Sequence, residues 1–279
     1  MDIENGGIRW ININDFYCKG VCFWQKGLLR LAFDPKFDTI VYWGEAHRVS
    51  TWLSALIARL RKKKIIFWGH GIYGNESKLK LFIRKTFYRL AHKHLLYERR
   101  VKKLMVANGF KPENLYVVFN SLDYSLHKSL LKKYSKLTRK EVYPFFKNPE
   151  LPVLVFIGRL TSVKRLDLLL HAVNIINSEK IAVNLLFIGD GPIRASLEKL
   201  GQKGMFDSCL HFVGACYSEE INGKYLFFAD LCVSPGNVGL TSVHSLSFGT
   251  PVCTHGNFNN QGPEAEAIIE GYNGFFFKE

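Results

Sequence analysis

The sequence predicts an α/β fold built on parallel sheets, from two observations. Short runs rich in β-branched and aromatic residues recur at 39–43, 65–68, 152–157, 183–188, 210–213 and 230–234, and most end at glycine. Stretches with apolar residues at helical spacing alternate with them, the pattern of strands joined by crossover helices. At 279 residues and 47% hydrophobic content, the chain can fill two cores of ordinary size.

Taken in order, residues 8–13 are expected as a strand and Cys22–Phe33 as an amphipathic helix. Thr39–Trp43 is a strand, and Glu45–Arg61 carries Trp52, Leu53, Leu56, Ile57 and Leu60 on one helical face. Ile65–Trp68 is a strand leading into Gly69-His70-Gly71. Ser77–Ala91 reads as a basic amphipathic helix, with Lys78, Lys80, Arg84, Lys85 and Arg89 among leucines and phenylalanines. A strand at His94–Tyr97, a helix at Glu98–Asn108, a strand at Leu115–Phe119 and one long helix at Leu126–Tyr143 follow. Pro144–Pro152 reads as a linker, so the expected domains are 1–148 and 149–279.

The second half is plainer. Strands at 152–157, 183–188 and 210–213 alternate with helices that begin near Lys164, Pro192 and Glu219. The stretch Ser234–Val252, SPGNVGLTSVHSLSFGTPV, follows a fourth strand. Pro235 and Gly236 end that strand, Thr241 is suited to cap a helix, and Gly249-Thr250-Pro251 stops it. Gly274 onward reads as one more strand.

Composition narrows the partners. The net charge is +14, and residues 1–150 hold 29 Lys and Arg against 12 Asp and Glu, leaving the rest slightly acidic. A basic half suits an anionic membrane surface or nucleic acid, or is a solvated face with no partner. No apolar run is long enough for a membrane span, and MDIENGG lacks the features of a signal peptide, so a cytoplasmic protein is expected. The six cysteines have no metal-site spacing and read as reduced thiols. GxxxxGK[ST], HExxH and GxSxG motifs are absent. Gly189-Asp-Gly191 resembles a dinucleotide fingerprint, but Arg194 stands where its third glycine would be.

Candidate chemistry gathers at strand ends. Arg159 and Lys164 sit between one strand and its helix, and the turn Gly239-Leu240-Thr241 opens at the same sheet edge. Two cations and a helix N-terminus suit a diphosphate, although such a turn can also be purely structural. His70 follows another strand between two glycines, placed either to serve a reaction or to satisfy turn amides.

As a set, Gly158-Arg-Leu-x-x-x-Lys164, Ile188-Gly-Asp-Gly-Pro192, Phe212-Val-Gly214, Ala229-Asp230 and Pro235-Gly-x-x-Gly-Leu-x-x-x-His-x-x-x-x-Gly-Thr-Pro-Val252 resemble the donor domain of the retaining glycosyltransferases of family 4, in the group 1 glycosyl transferases. The resemblance covers 151–279 and continues more weakly into 37–125, through His70 and Asn120-Ser-Leu-Asp123. It implies a GT-B fold, two Rossmann-like domains with parallel sheets facing across a cleft. It implies a nucleotide-diphosphate sugar as donor, no cofactor and no metal. Arg159 and Lys164 would bind the diphosphate, His70 would act at the reacting centre, and Gly214, Gly239, Leu240 and Thr241 would line the donor site. The N-terminal domain would hold a glycan or lipid-linked acceptor at the cytoplasmic membrane face, for surface polysaccharide synthesis, with no nucleic acid.

The sequence departs from the family where it usually has two glutamates eight positions apart. Gly236 and His244 stand there. His244 can bond a ribose; Asn237, Glu264 or Glu266 would have to replace the first glutamate. Neither the usual opening strand with its acceptor loop nor the closing helices is found whole, so a fragment or shortened form is expected. The alternatives are a basic RNA-binding protein and an inactive nucleotide-sugar-binding remnant.

Overall fold

The structure, a computed structural model, describes residues 13–18, 21–179, 181–204, 206 and 208–278. It divides into two compact units, 1–119 and 120–279. The expected α/β class holds in both, with a parallel sheet in each. Among the described residues, no helix is long and apolar enough to cross a membrane.

The first unit opens with an antiparallel hairpin, β1 (Asp15–Cys18) and β2 (Val21–Gln25), followed by α1 (Leu28–Phe33). The strand expected over 8–13 lies almost wholly outside the described residues. The helix expected over 22–33 is half strand, because Gly27 takes a φ of 92° and breaks the helical path before Leu28. A four-stranded sheet follows in the order β3 (Thr39–Trp43), β4 (Lys64–Gly69), β5 (Lys93–Leu96) and β6 (Leu115–Val117). Its crossovers are α2 (Val49–Leu60), α3 (Lys78–Tyr88) and α4 (Arg99–Ala107). The core packs Phe67, Phe87, Tyr88 and Met105 with alanines 55 and 58 of α2, all nearly or fully buried.

The second unit begins with α5 (Tyr124–Tyr134) and α6 (Arg139–Val142). One continuous helix was expected here. Thr138 and Glu141 form a reciprocal capping box, which starts a new helix and splits the run. These helices also move the boundary from the linker near 148 to 119. Leu130, Tyr134, Val142, Tyr143 and Phe146 are buried in the core beneath the second sheet. The hydroxyls of Tyr134 and Tyr143 donate to the carbonyls of Glu220 and Tyr225, each at 2.6 Å, and Arg139 pairs with Asp230 at 2.6 Å. With that boundary, the first unit carries 22 Lys and Arg against 9 Asp and Glu, and the second 16 against 15.

The six-stranded parallel sheet of this unit comprises β7 (Val153–Ile157), β8 (Asn184–Ile188), β9 (Leu210–Gly214), β10 (Leu231–Ser234), β11 (Val252–His255) and β12 (Gly274–Phe277). Their order across the sheet is β12-β11-β10-β7-β8-β9. The helices are α7 (Leu166–Ser178), α8 (Arg194–Gly201), α9 (Glu219–Phe228) and α10 (Thr241–Ser247). The chain runs outward from central β7 in one direction, then returns to build outward from β10 in the other. The β7–β10 pair is therefore the switch point, where open α/β sheets leave a crevice for ligands.

One buried group in the first unit makes its stability depend on pH. His94 is 3% exposed, packs against Phe67, Tyr88 and Phe110, and burial lowers its pKa from 6.5 to about 4. The neutral ring is favoured in the fold, so its contribution is complete above pH 6.5 and is lost as pH falls toward 4. The loss amounts to about 3 kcal/mol at most. Denaturant unfolding between pH 7 and 4 should show His94→Leu with a shallower loss of stability, by up to about one proton; identical slopes would refute it.

Candidate functional site

Two stretches that leave the switch point build the site. After β7 come Gly158, Arg159 and a turn of 3-10 helix at Ser162–Lys164. After β10 comes the turn 235–240 into α10. They are laced together by backbone bonds. The Gly236 amide donates to the Lys164 carbonyl at 2.9 Å, and the Asn237 amide to the Val163 carbonyl at 3.3 Å. This contact requires glycine, because a Cβ at 236 would lie 1.9 Å from the Val163 carbonyl oxygen. Gly236 thus does more than omit a carboxylate: the backbone at that position admits no side chain.

The lacing delivers Lys164. Its ammonium donates to the carbonyl of Asn237 at 2.5 Å and reaches Val238 at 3.5 Å. Burial, the larger effect, lowers its pKa, and the negative charge of Glu264 opposes that shift. Among the described residues, no acceptor meets the amides of Gly239, Leu240 and Thr241. A partly buried cation beside three open amides is a setting for an anion.

Thr241 does not cap α10. It is the first residue of the helix, and its hydroxyl donates to the Ile157 carbonyl at 2.7 Å, fastening the start of α10 to the end of β7. Leu240 is 41% exposed at the turn.

Arg159 is exposed and, among the described residues, makes no hydrogen bond or ion pair. It lines an open cleft of about 660 Å³ with Gly158, Asp190, Gly191, Cys216 and Tyr217. The cleft floor is backbone at the ends of β7, β8 and β9. Gly189 donates to the Gly214 carbonyl at 2.8 Å, and a Cβ at 189 would fall 2.0 Å from the Gly158 oxygen. Gly214 is therefore part of the floor's frame.

Glu264 follows Pro263 in a 3-10 turn at Pro263–Ala267. Its position is measured by the side chain Gly262 lacks. A Cβ there would lie 2.9 Å from Glu264 Oε2, 3.2 Å from Gly239 Cα and 3.4 Å from Asn237 Oδ1. Lys164, Asn237, Gly239 and Glu264 thus gather around one turn. Glu266 shares the 3-10 turn with Glu264 and is half-buried.

Several contributors had no signal in the sequence. Gln261 accepts from the Val238 amide at 2.8 Å and donates to Thr254 and His255, which ties the 257–264 loop to the turn. Glu219 is another. Its Oε1 lies 2.6 Å from His127 Nε2 and 2.7 Å from His244 Nε2, and these bonds, that of His244 first, lower its pKa. His244 is thus engaged through Nε2 by a carboxylate of α9. The trio is placed to hold a metal, as its ligand atoms lie within 4.8 Å of one another. Ligation through His127 Nε2 would, however, leave the proton on its Nδ1, which is buried with no partner. A hydrogen-bonded clamp on His244 fits better.

In the first unit, His70 follows β4, with its ring centroid 5.0 Å from that of Tyr97 and 6.0 Å from that of Tyr73. Its loop is braced from α3. Glu76 accepts from the Tyr73 and Gly74 amides, each at 2.8 Å, and Arg84 bonds both Glu76 and the Gly71 carbonyl. Arg84 therefore faces the loop, not a surrounding surface.

Comparison with known proteins decides what this frame resembles. Residues 151–279 match the family model of the group 1 glycosyl transferases. The sulfoquinovosyl transferase SQD2 of Arabidopsis thaliana is 32% identical over 136 residues, and the glycogen synthase of Desulfitobacterium hafniense 29% over 154. These matches take in 46% and 53% of this chain, which spans only 24% and 32% of those proteins. HepE of Anabaena in complex with UDP superposes with a TM-score of 0.67 at 17% identity, covering 90% of this chain and 67% of that one. A second HepE structure, with UDP-glucose, gives 0.64 at 16% and the same coverage. At such identities the likeness concerns the fold, and it bears out the expected GT-B class.

The turn after β10 depends on the close approach at Gly236. Gly236→Ala should lower the melting temperature and expose Lys164, because the Cβ forces Val163 and Lys164 off the turn. A carboxylate restored by Gly236→Glu should destabilise at least as much. Thermal unfolding checks both, and a wild-type melting temperature in either would refute the packing argument.

Proposed function

We propose that this chain is a retaining glycosyltransferase that moves a sugar from a nucleotide-diphosphate sugar to a glycan or lipid-linked acceptor. The observation that carries this reading is the Lys164 ammonium seated at the turn 237–239, beside the open amides of Gly239, Leu240 and Thr241. The match of residues 151–279 to the group 1 glycosyl transferases supports it, as does the likeness to HepE, solved with UDP and with UDP-glucose.

In this mechanism the diphosphate binds where β7 and β10 end. The amides and Lys164 take the phosphate oxygens, and Arg159, unpaired on the neighbouring cleft, adds a second cation. As the glycosidic bond breaks, negative charge grows on the leaving diphosphate. Cations and dipoles already in place stabilise it without reorganising, in the role a divalent metal plays elsewhere. The leaving phosphate takes the acceptor's proton on the face it departs from, which retains configuration. His70 contacts the sugar or the acceptor near the reacting carbon. His244, held by Glu219, bonds the ribose.

The acceptor side rests on the first unit. Its excess of cations, and α3 with Leu79 and Phe82 exposed at 69% and 67%, suit an anionic membrane face and a lipid-linked acceptor of surface polysaccharide synthesis.

Calorimetry with UDP, GDP and ADP and their hexose conjugates tests the donor site. Arg159→Ala and Lys164→Ala should each weaken the preferred nucleotide by about tenfold or more while circular dichroism stays native. Wild-type affinity in both would sink the assignment. His70→Ala should keep nucleotide affinity and lose donor turnover; unchanged turnover would remove it from the site. Binding without any sugar transfer, across acceptors, would mark an inactive remnant.

A further inference from the structure

We propose that Asn120 is a positioning residue, which holds the Glu264 carboxylate so that its second oxygen accepts hydroxyl groups of the donor's sugar. The inference rests on the donor reading above and extends it to a residue pair 144 positions apart in the chain.

Asn120 opens the second unit. Its Oδ1 accepts from the Ser121 amide at 3.1 Å, and its Nδ2 donates to Glu264 Oε1 at 3.0 Å. The two bonds fix the amide's orientation, since the reverse would set a carbonyl oxygen against a carboxylate and an NH₂ against an N–H. The chain also enters Asn120 from a defined direction, as Phe119 holds a φ of 57°, which bulky residues rarely adopt.

Glu264 is held from its backbone too. Ser242 Oγ donates to the Glu264 carbonyl at 2.8 Å and to the Gly239 carbonyl at 3.0 Å, so α10 carries the glutamate and the turn together. With Oε1 bound to Asn120, Oε2 is the oxygen toward Gly262, in space that only a glycine leaves open. An ionised carboxylate accepts hydrogen bonds and donates none. Against phosphate it would repel. A hydroxyl-bearing ring attached to that phosphate is the partner its chemistry selects. Glu264 therefore takes the sugar end of the ligand, and Lys164 with the open amides takes the diphosphate.

The test is calorimetry on the full chain, with UDP and UDP-glucose as ligands and GDP-mannose and ADP-glucose, with their diphosphates, as the other pairs. The pair that binds wild type best is carried forward. Glu264→Gln should weaken the nucleotide sugar about tenfold and change the bare diphosphate less than about twofold. Asn120→Ala should show the same split, somewhat smaller. Asn120→Asp places two carboxylates in contact, so the nucleotide sugar should bind poorly at pH 7.5 and recover toward wild type near pH 5.5, where the pair shares a proton. Equal losses for sugar and bare diphosphate, no loss for either, or an Asn120→Asp defect independent of pH would each overturn the assignment. If wild type binds none of these ligands, the donor reading falls first and takes this inference with it.

Discussion

The approach of two backbones at Gly236 is the constraint on which the candidate site depends. A parallel sheet delivers β7 and β10 side by side, but this alone leaves their following loops free to diverge. The amides of Gly236 and Asn237 bond the carbonyls of Lys164 and Val163, and the absent Cβ permits that distance. Everything local follows from it. The Lys164 side chain, anchored at its own backbone, donates to the turn's carbonyls and loses hydration there. Desolvation weakens a cation's hold on its proton but strengthens its attraction for an incoming anion. The ammonium's hydrogen bonds go to neutral carbonyls, and the negative charge of Glu264 acts against the loss of its proton.

A second layer holds that turn from outside. Gln261 bonds both the turn and β11, Thr254 bonds the carbonyls of Ser234 and Gly236, and Ser242 bonds Gly239 and Glu264. These are short polar side chains that satisfy backbone groups where strands end. Buried polar atoms left without partners would cost more than the bonds gain, so the network is specific to one arrangement. The acidic residues are kept apart by it. Glu219 is drawn to two imidazoles, and Glu264 to an amide, so neither neutralises Lys164 directly.

Much of the second unit was legible because its signals are local. β9 and α9 fall at the expected residues, and the Gly-rich ends of β7 and β8 are where backbones must meet. The positions of Arg159 and Lys164 just after β7 are local in the same way, since each follows that strand at a fixed distance. The misreadings came where long-range packing competed with local pattern. The run 126–143 has helical spacing throughout, yet Thr138 finds a better bond with Glu141 and restarts the helix. Thr241 has the right residue type for a cap, yet Ile157, 84 positions away, offers its hydroxyl an acceptor. The clamp on His244 joins three helices through residues 127, 219 and 244, and no spacing in the chain foretells it. The linker near 148 was read from prolines, whereas the boundary follows from which core buries Tyr134 and Tyr143.

The shift of that boundary changes how charge should be understood. Seven of the basic residues counted with the first half, from Lys128 to Lys147, belong to helices and turns of the second unit. Two of these are committed: Lys133 pairs with Glu220, and Arg139 with Asp230. Arg84 in α3 is likewise spent on Glu76 and the loop that carries His70. What the first unit offers outward is therefore not its whole formal charge but the cations left over. On α3 those are Lys78, Lys80 and Lys85, interleaved with exposed Leu79, Phe82 and Ile83. These apolar side chains set among lysines support the membrane-facing acceptor side proposed above, because a nucleic acid would reward the lysines and leave the leucine and phenylalanine in water.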